Sequence, residues 1–153
     1  TPPCGHDPKV VSEQLFQLMK FTDRDVVKRI VNGITRNDKK CHEVKKTVKS
    51  YEKDYRREDW GSMIIDAMKF CLQCKYEQSE VFRQKLEATQ GFNIVEDQTS
   101  FPKKRPDAWG VKLREGQFIG PNMLGRLLME LRDNGRLEYC LPDNALDFIR
   151  FLK

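Results

Sequence analysis

Two stretches, Asp107-Ala108-Trp109-Gly110 and then Gly120-Pro121-Asn122-Met123-Leu124-Gly125-Arg126-Leu127-Leu128-Met129, decide how the chain is read. Leu124, Leu127, Leu128 and Leu131 recur at helical spacing, so a helix with one buried face opens near Pro121. Proline suits its first turn, where a missing N–H costs little. Gly120, Asn122 and Gly125 do not belong to that apolar face. Neither does Asp107, which stands just before Trp109-Gly110 on a loop upstream. A carboxylate, an aromatic plane and a helix N-terminus brought together suggest a small-molecule site.

Working outward, the pattern is mostly helical. Residues 1–10 are rich in Pro and Gly and read as an irregular segment. Val11 to Phe21 fits a helix with one apolar face, and Glu13, Gln17 and Lys20 recur on one side of it. Thr22-Asp23-Arg24-Asp25 resembles a capping box and opens a second helix ending near Asn32-Gly33. A long polar helix follows, with Val44, Val48, Tyr51 and Tyr55 as its sparse apolar positions. Asp59 can cap the next helix, Trp60 to Tyr76, whose apolar stripe is Trp60, Ile64, Ala67, Met68 and Cys71. Ser79 opens another helix, closed at Gln90-Gly91. Asn93 to Glu96 is too short for a helix and reads as a strand, and Gln98 to Pro106 reads as a loop. The helix after Pro121 stops at Asn134-Gly135, and Asp143 to Leu146 caps a last short helix through Leu152. The expected fold is α+β: a mostly helical single domain over residues 1–153 with a small β-sheet.

The net charge of +5 is local. Arg36 to Arg57 carries nine Lys/Arg against four Asp/Glu, so this segment accounts for the whole excess. It is either a solvated helix face laced with i,i+4 pairs or a surface that meets phosphates. No apolar run approaches the roughly 18 residues that a membrane span needs, so no membrane partner is expected. Thr1 in place of Met is expected of a trimmed N-terminus. The five cysteines are an odd number, which fits a reducing, intracellular compartment. Cys71-x-x-Cys74 looks like half of a zinc motif, but no second pair follows at ligand spacing, and His6 and His42 lie far away. Buried thiols are therefore expected there, with neither metal nor cofactor.

In this order the motifs resemble the YbiA-like NADAR superfamily. Its early helix S-x-E-x-x-F-x-x-x-K is similar to Ser12 to Lys20, displaced by one residue from the commonest spacing. Trp60 opens the mid-chain helix, and Lys75-Tyr76-Glu77-Gln78 is the K-[FY]-x-Q motif. Leu86 to Gly91 and Ile94-Val95-Glu96 match the leucine-rich helix and the L-V-E strand. Asp107 to Gly110 is D-x-W-G, and Gly120 to Arg132 is G-x-N-x-L-G-x-x-L-M-x-x-R in full. The loop between Glu96 and Asp107 is longer than the family's usual one and holds Phe101-Pro102-Lys103-Lys104-Arg105-Pro106.

The resemblance implies cleavage of N-glycosidic bonds between ribose and an amine or base. Such reactions pass through an oxocarbenium-like ribose, which a carboxylate stabilises while it orients or deprotonates water. Glu13 is the expected catalytic carboxylate, with Asp107 holding a ribose hydroxyl or the water. Trp60 and Trp109 are candidates to stack on a base. Lys20 is a candidate for a phosphate or ribose oxygen. Asn122 at a helix N-terminus is expected to fix a phosphate or ribose, with Gly110 and Gly120 in the same wall. Tyr76 and Gln78 either line the pocket or pack. The favoured substrate is ADP-ribosylated guanine in DNA or RNA, because of the basic segment and the Lys103-Lys104-Arg105 loop. The alternatives are a small phosphoribosyl-amine of riboflavin synthesis and a non-catalytic ADP-ribose or nucleic-acid binding module.

Overall fold

Helices account for most of the chain in the computed structural model, which describes residues 12–37 and 41–152. Their order is α1 (Ser12–Leu18), α2 (Arg24–Asn37), α3 (Cys41–Tyr55), α4 (Trp60–Gln78), α5 (Glu80–Glu87), β1 (Lys112–Arg114), β2 (Gln117–Ile119), α6 (Met123–Asn134) and a 3₁₀ turn, Asp147–Leu152. The fold is α+β, with one two-stranded antiparallel sheet among the described residues. The chain divides into two compact units, 1–74 with 139–153 and 75–138, and the division falls inside α4. The expected irregular segment 1–10 lies outside the described residues.

In the first unit, α3 packs on α1 and α2, and the 3₁₀ turn packs on α2. Its core holds Phe16, Leu18 and Met19 of the α1 region, Val26, Val27 and Ile30 of α2, Val48 of α3, and Phe148 of the 3₁₀ turn. The helix expected to reach Phe21 ends at Leu18. The backbone explains this: Lys20 and Phe21 close the turn onto Gln17 and Leu18, and the Lys20 carbonyl accepts from Arg57 N–H at 2.8 Å. Phe21 and Arg56 form an antiparallel bridge there. Asp23, within the expected capping box, is the residue that caps α2, its Oδ1 accepting from Val26 N–H at 3.0 Å. The helix then continues past Gly33 to Asn37.

Asp59 stands in front of α4 as expected, but its carboxylate does not cap the helix. It takes Nε and Nη2 of Arg57 instead. A two-point charged pair outweighs a neutral N–H cap. The buried face of α4 runs through Trp60, Met63, Ala67, Phe70, Cys71 and Cys74. Of the expected stripe, Ile64 and Met68 are only half-buried. Cys71 is the buried thiol expected, whereas Cys74 is buried but disulfide-bonded, which corrects the expectation of a thiol there. Cys71 and Cys140 are free.

In the second unit α5 packs on α6. Ser79 caps α5, accepting from Phe82 N–H at 3.1 Å. Gly135 closes α6 in the left-handed conformation. Residues 93–96 were expected as a strand, yet they join no ladder; pairing is confined to a parallel bridge between Asp97 and Val111. The small sheet is the hairpin β1–β2, in the register Lys112 with Ile119, Leu113 with Phe118 and Arg114 with Gln117. Its two-residue turn, Glu115-Gly116, takes positive φ at both positions (50° and 78°), the geometry that matches strand twist.

Candidate active site

The residues singled out in the sequence fall into two groups, one in each unit. In the first unit Glu13 lies in the first turn of α1, where a carboxylate is favoured by the helix dipole. Its Oε1 accepts from Gln17 Nε2 at 3.1 Å and lies 3.4 Å from Lys45 Nζ. Oε2 has no hydrogen bond among the described residues. The carboxylate is half-buried and its charge is felt at Cys71. Burial pushes the Cys71 thiol up, and Glu13 adds to the shift, so this cysteine stays protonated.

Lys20 donates to Glu52 Oε1 at 2.6 Å, and its Nζ lies 5.8 Å from the centroid of the Trp60 ring. Any anion taken by Lys20 must therefore share it with Glu52. Trp60 is 3% exposed and meets Phe16 edge-on, with ring centroids 5.2 Å apart. This corrects the expectation that Trp60 stacks on a base, since its ring has no open face. A tryptophan that opens a helix on its apolar stripe is bound into the core by that placement.

The second group centres on Asp107. Its Oδ1 accepts from Gln98 Nε2 at 2.7 Å and from Trp109 N–H at 2.9 Å, while Gln98 Oε1 accepts from Asp107 N–H at 3.0 Å. Gln98 is buried, and a side chain on Gly110 would run into it, with a Cβ only 2.5 Å from Gln98 Cδ. Asp107 is thus oriented through one oxygen, and Oδ2 has no hydrogen bond among the described residues. Trp109 is half-buried beside it.

The α6 N-terminus is bound to the same turn. The N–H groups of Asn122, Met123 and Leu124 donate to the carbonyls of Gly110, Ala108 and Trp109, each at 3.1 Å. The Asn122 side chain accepts from Glu96 N–H at 3.0 Å and donates to the Ile94 carbonyl at 2.9 Å. The expected phosphate role of Asn122 and of the helix N-terminus is corrected accordingly: those donors hold three segments of backbone together. Gly120 (φ 146°) belongs to the same construction, because a Cβ there would lie 2.6 Å from the Gly110 carbonyl. Tyr76 and Gln78 end α4 instead, where the Tyr76 carbonyl accepts from Arg83 at 2.6 Å and its hydroxyl lies beside Gly135. Tyr76 is half-buried and Gln78 exposed.

Four residues that hold the candidates were not foreseen in these roles: Gln17, Lys45, Glu52 and Gln98. Gln17 and Lys20 were at least placed on the Glu13 side by spacing. In the sequence Lys45 and Glu52 are only members of a charge run, and nothing there marks Gln98 as buried. Among the described residues no group of three His, Cys, Asp or Glu is placed to hold a metal ion, and no helix is long and apolar enough to cross a membrane.

A family model described as NADAR domain matches residues 10–136, which includes both groups. Comparison with curated proteins and with solved structures gave no match.

Proposed function

Because the chain belongs to the NADAR domain family, whose general chemistry is N-glycosidic hydrolysis, we propose that it releases ADP-ribose from guanine bases of nucleic acid. Water adds to the anomeric carbon of the ribose, the bond from that carbon to the base nitrogen breaks, and the base leaves with its electron pair. The base gains a proton and the ribose a hydroxyl. Charge builds on the ribose in the transition state, so a fixed carboxylate close to it lowers the barrier.

The observation that carries this reading is the state of Glu13. One oxygen is held by Gln17 and Lys45, and the other has no partner among the described residues. A carboxylate restrained in this way is available to take a proton from water or to face a cationic ribose. Lys20, in the same unit, is the proposed contact for a ribose or phosphate oxygen.

The test uses Glu13→Gln, which keeps the shape and the hydrogen bond from Gln17 but removes the charge. Turnover of an ADP-ribosylated guanine oligonucleotide should fall by about 100-fold or more, with the melting temperature close to that of the parent. Undiminished turnover in that variant would remove Glu13 from the mechanism. Parent protein that turns over a phosphoribosyl-amine but not the oligonucleotide would replace ADP-ribosyl guanine with that smaller substrate.

A further inference from the structure

Nothing so far uses the exposed apolar side chains around the hairpin of the second unit. Phe118 is 50% exposed, Phe101 49%, Ile119 55% and Leu113 42%. All four lie on the β1–β2 hairpin or on the loop that precedes it. Leu113 and Phe118 are directly paired, so they share one face of the ribbon. Leaving such side chains in water forgoes their burial, and a cluster of them marks a contact surface.

A lone two-stranded hairpin is marginal in water, but this one is braced along its β1 side. Lys112 Nζ donates to the Phe101 carbonyl at 2.6 Å, and Arg114 Nη2 to the Lys104 carbonyl at 2.9 Å. Leu113 N–H donates to Thr99 Oγ1 at 2.9 Å, and Thr99 is itself fixed by Asp97. Loop 97–105 is thereby tied to the ribbon at three points. Two of these ties fall on either side of Lys103, so the exposed side chains of Lys103, Lys104 and Arg105 project from anchored backbone. None of the three has an ion pair or a side-chain hydrogen bond among the described residues. In the basic segment that dominates the sequence, two of the cations are taken, Lys45 by Glu13 and Arg57 by Asp59.

We infer that loop 97–105 and the β1–β2 hairpin form a platform for one strand of nucleic acid, on which Phe118 and Phe101 stack with bases while Lys103, Lys104 and Arg105 meet phosphates. Aromatic faces beside unpaired cations suit a polyanion that carries flat bases, and each stacked base adds affinity without regard to sequence. An acidic peptide would answer the cations but leave the two phenyl faces without a matching surface. The inference deepens the nucleic-acid reading above and rests on it for its biological meaning, while binding itself is measured separately.

The experiment measures anisotropy of a fluorescent, unmodified single-stranded oligonucleotide, together with release of ADP-ribose from its modified form. The parent should bind. Combined Lys103→Ala, Lys104→Ala and Arg105→Ala should weaken binding by more than 10-fold, and Phe118→Ala by about 10-fold. A control, Lys46→Ala with Lys49→Ala on the exposed side of α3, should change it by less than 2-fold. Loss of binding in the α3 control with none in the platform variants would overturn the platform. So would binding of an acidic peptide but not of the oligonucleotide. Oligonucleotide binding that depends on the platform, without release of ADP-ribose by the parent, would keep the platform and reject the proposed reaction.

Discussion

Arg57 illustrates how one residue can leave the class its sequence neighbours suggest. It closes the most basic segment of the chain, yet its side chain is only 6% exposed. Nε and Nη2 are tied to Asp59, Nη2 also reaches Asn144 Oδ1, and Nη1 is buried without a partner among the described residues. The two ends of this pair are unequal, because Asp59 is 46% exposed and can return to water whereas Arg57 cannot. The Arg57 guanidinium holds the Asp59 carboxyl below its ordinary value. A carboxylate whose folded pKa is depressed adds stability that is present above its unfolded value, near pH 4, and is lost as pH falls through the folded value. Asp59→Asn should therefore cost about 1–2 kcal/mol at pH 7, after allowance for solvent screening of an exposed partner. The difference from the parent should shrink as pH falls below the unfolded value. Urea unfolding at neutral and at acidic pH checks this, and a difference that does not change with pH would mean that the ion pair contributes nothing. Replacing Arg57 with Met should cost less than Asp59→Asn, since it also removes the unpaired Nη1 from the interior.

The motif Gly120 to Arg132 works as an element more than as a list of ligands. Its asparagine takes the place of a neighbouring strand for Ile94 and Glu96, and its first N–H groups bind the Asp107 turn. Gly125 lies directly beneath the Ile94 carbonyl, and a Cβ there would overlap it. Gly125→Ala should consequently cost roughly 2–4 kcal/mol, because backbone rather than a flexible side chain would have to move. Gly61, in the first turn of α4, has nothing within 4 Å of a Cβ, so Gly61→Ala should raise stability by about 0.5–1 kcal/mol. Opposite shifts of melting temperature check the pair; equal shifts would refute the close approach at Gly125. The same elements show what periodicity and capping can reveal. Leucine spacing, Ser79 and Gly135 mark α5 and α6 from local residues alone, because the forces that form them are local. Residues 93–96 have the pattern of a strand, but the Ile94 carbonyl and the Glu96 N–H bond a side chain 26 to 28 positions away, while the Glu96 carbonyl meets Val111 N–H. The hairpin is legible in principle, through Glu115-Gly116 between short runs that pair. The paired charges around Glu13 and Lys20 are not, since which lysine meets which glutamate depends on how α1 and α3 pack.

At the scale of the molecule, a net charge of +5 says little until pairing is counted. Exposed charges more than about 8 Å apart are screened at physiological salt, so a diffuse excess gives weak, non-directional attraction. A fixed cluster behaves differently, because each cation that meets a phosphate releases a condensed counterion. If Lys103, Lys104 and Arg105 each neutralise one phosphate of a single strand, log affinity should fall with log salt with a slope near −2. Raising salt from roughly 50 to 200 mM should then raise the KM of the oligonucleotide substrate by about 15- to 20-fold. Free ADP-ribosyl guanosine makes none of the strand contacts, and its KM should change far less over the same range. Steady-state kinetics of both substrates at the two salt concentrations give the comparison. Equal sensitivity would mean that the salt effect arises at the ADP-ribose itself, where Lys20 is the proposed contact, and that the strand is held by no cation of its own. A slope much steeper than −2 would call for cations beyond the loop, and the exposed lysines of α3 would be the next to test.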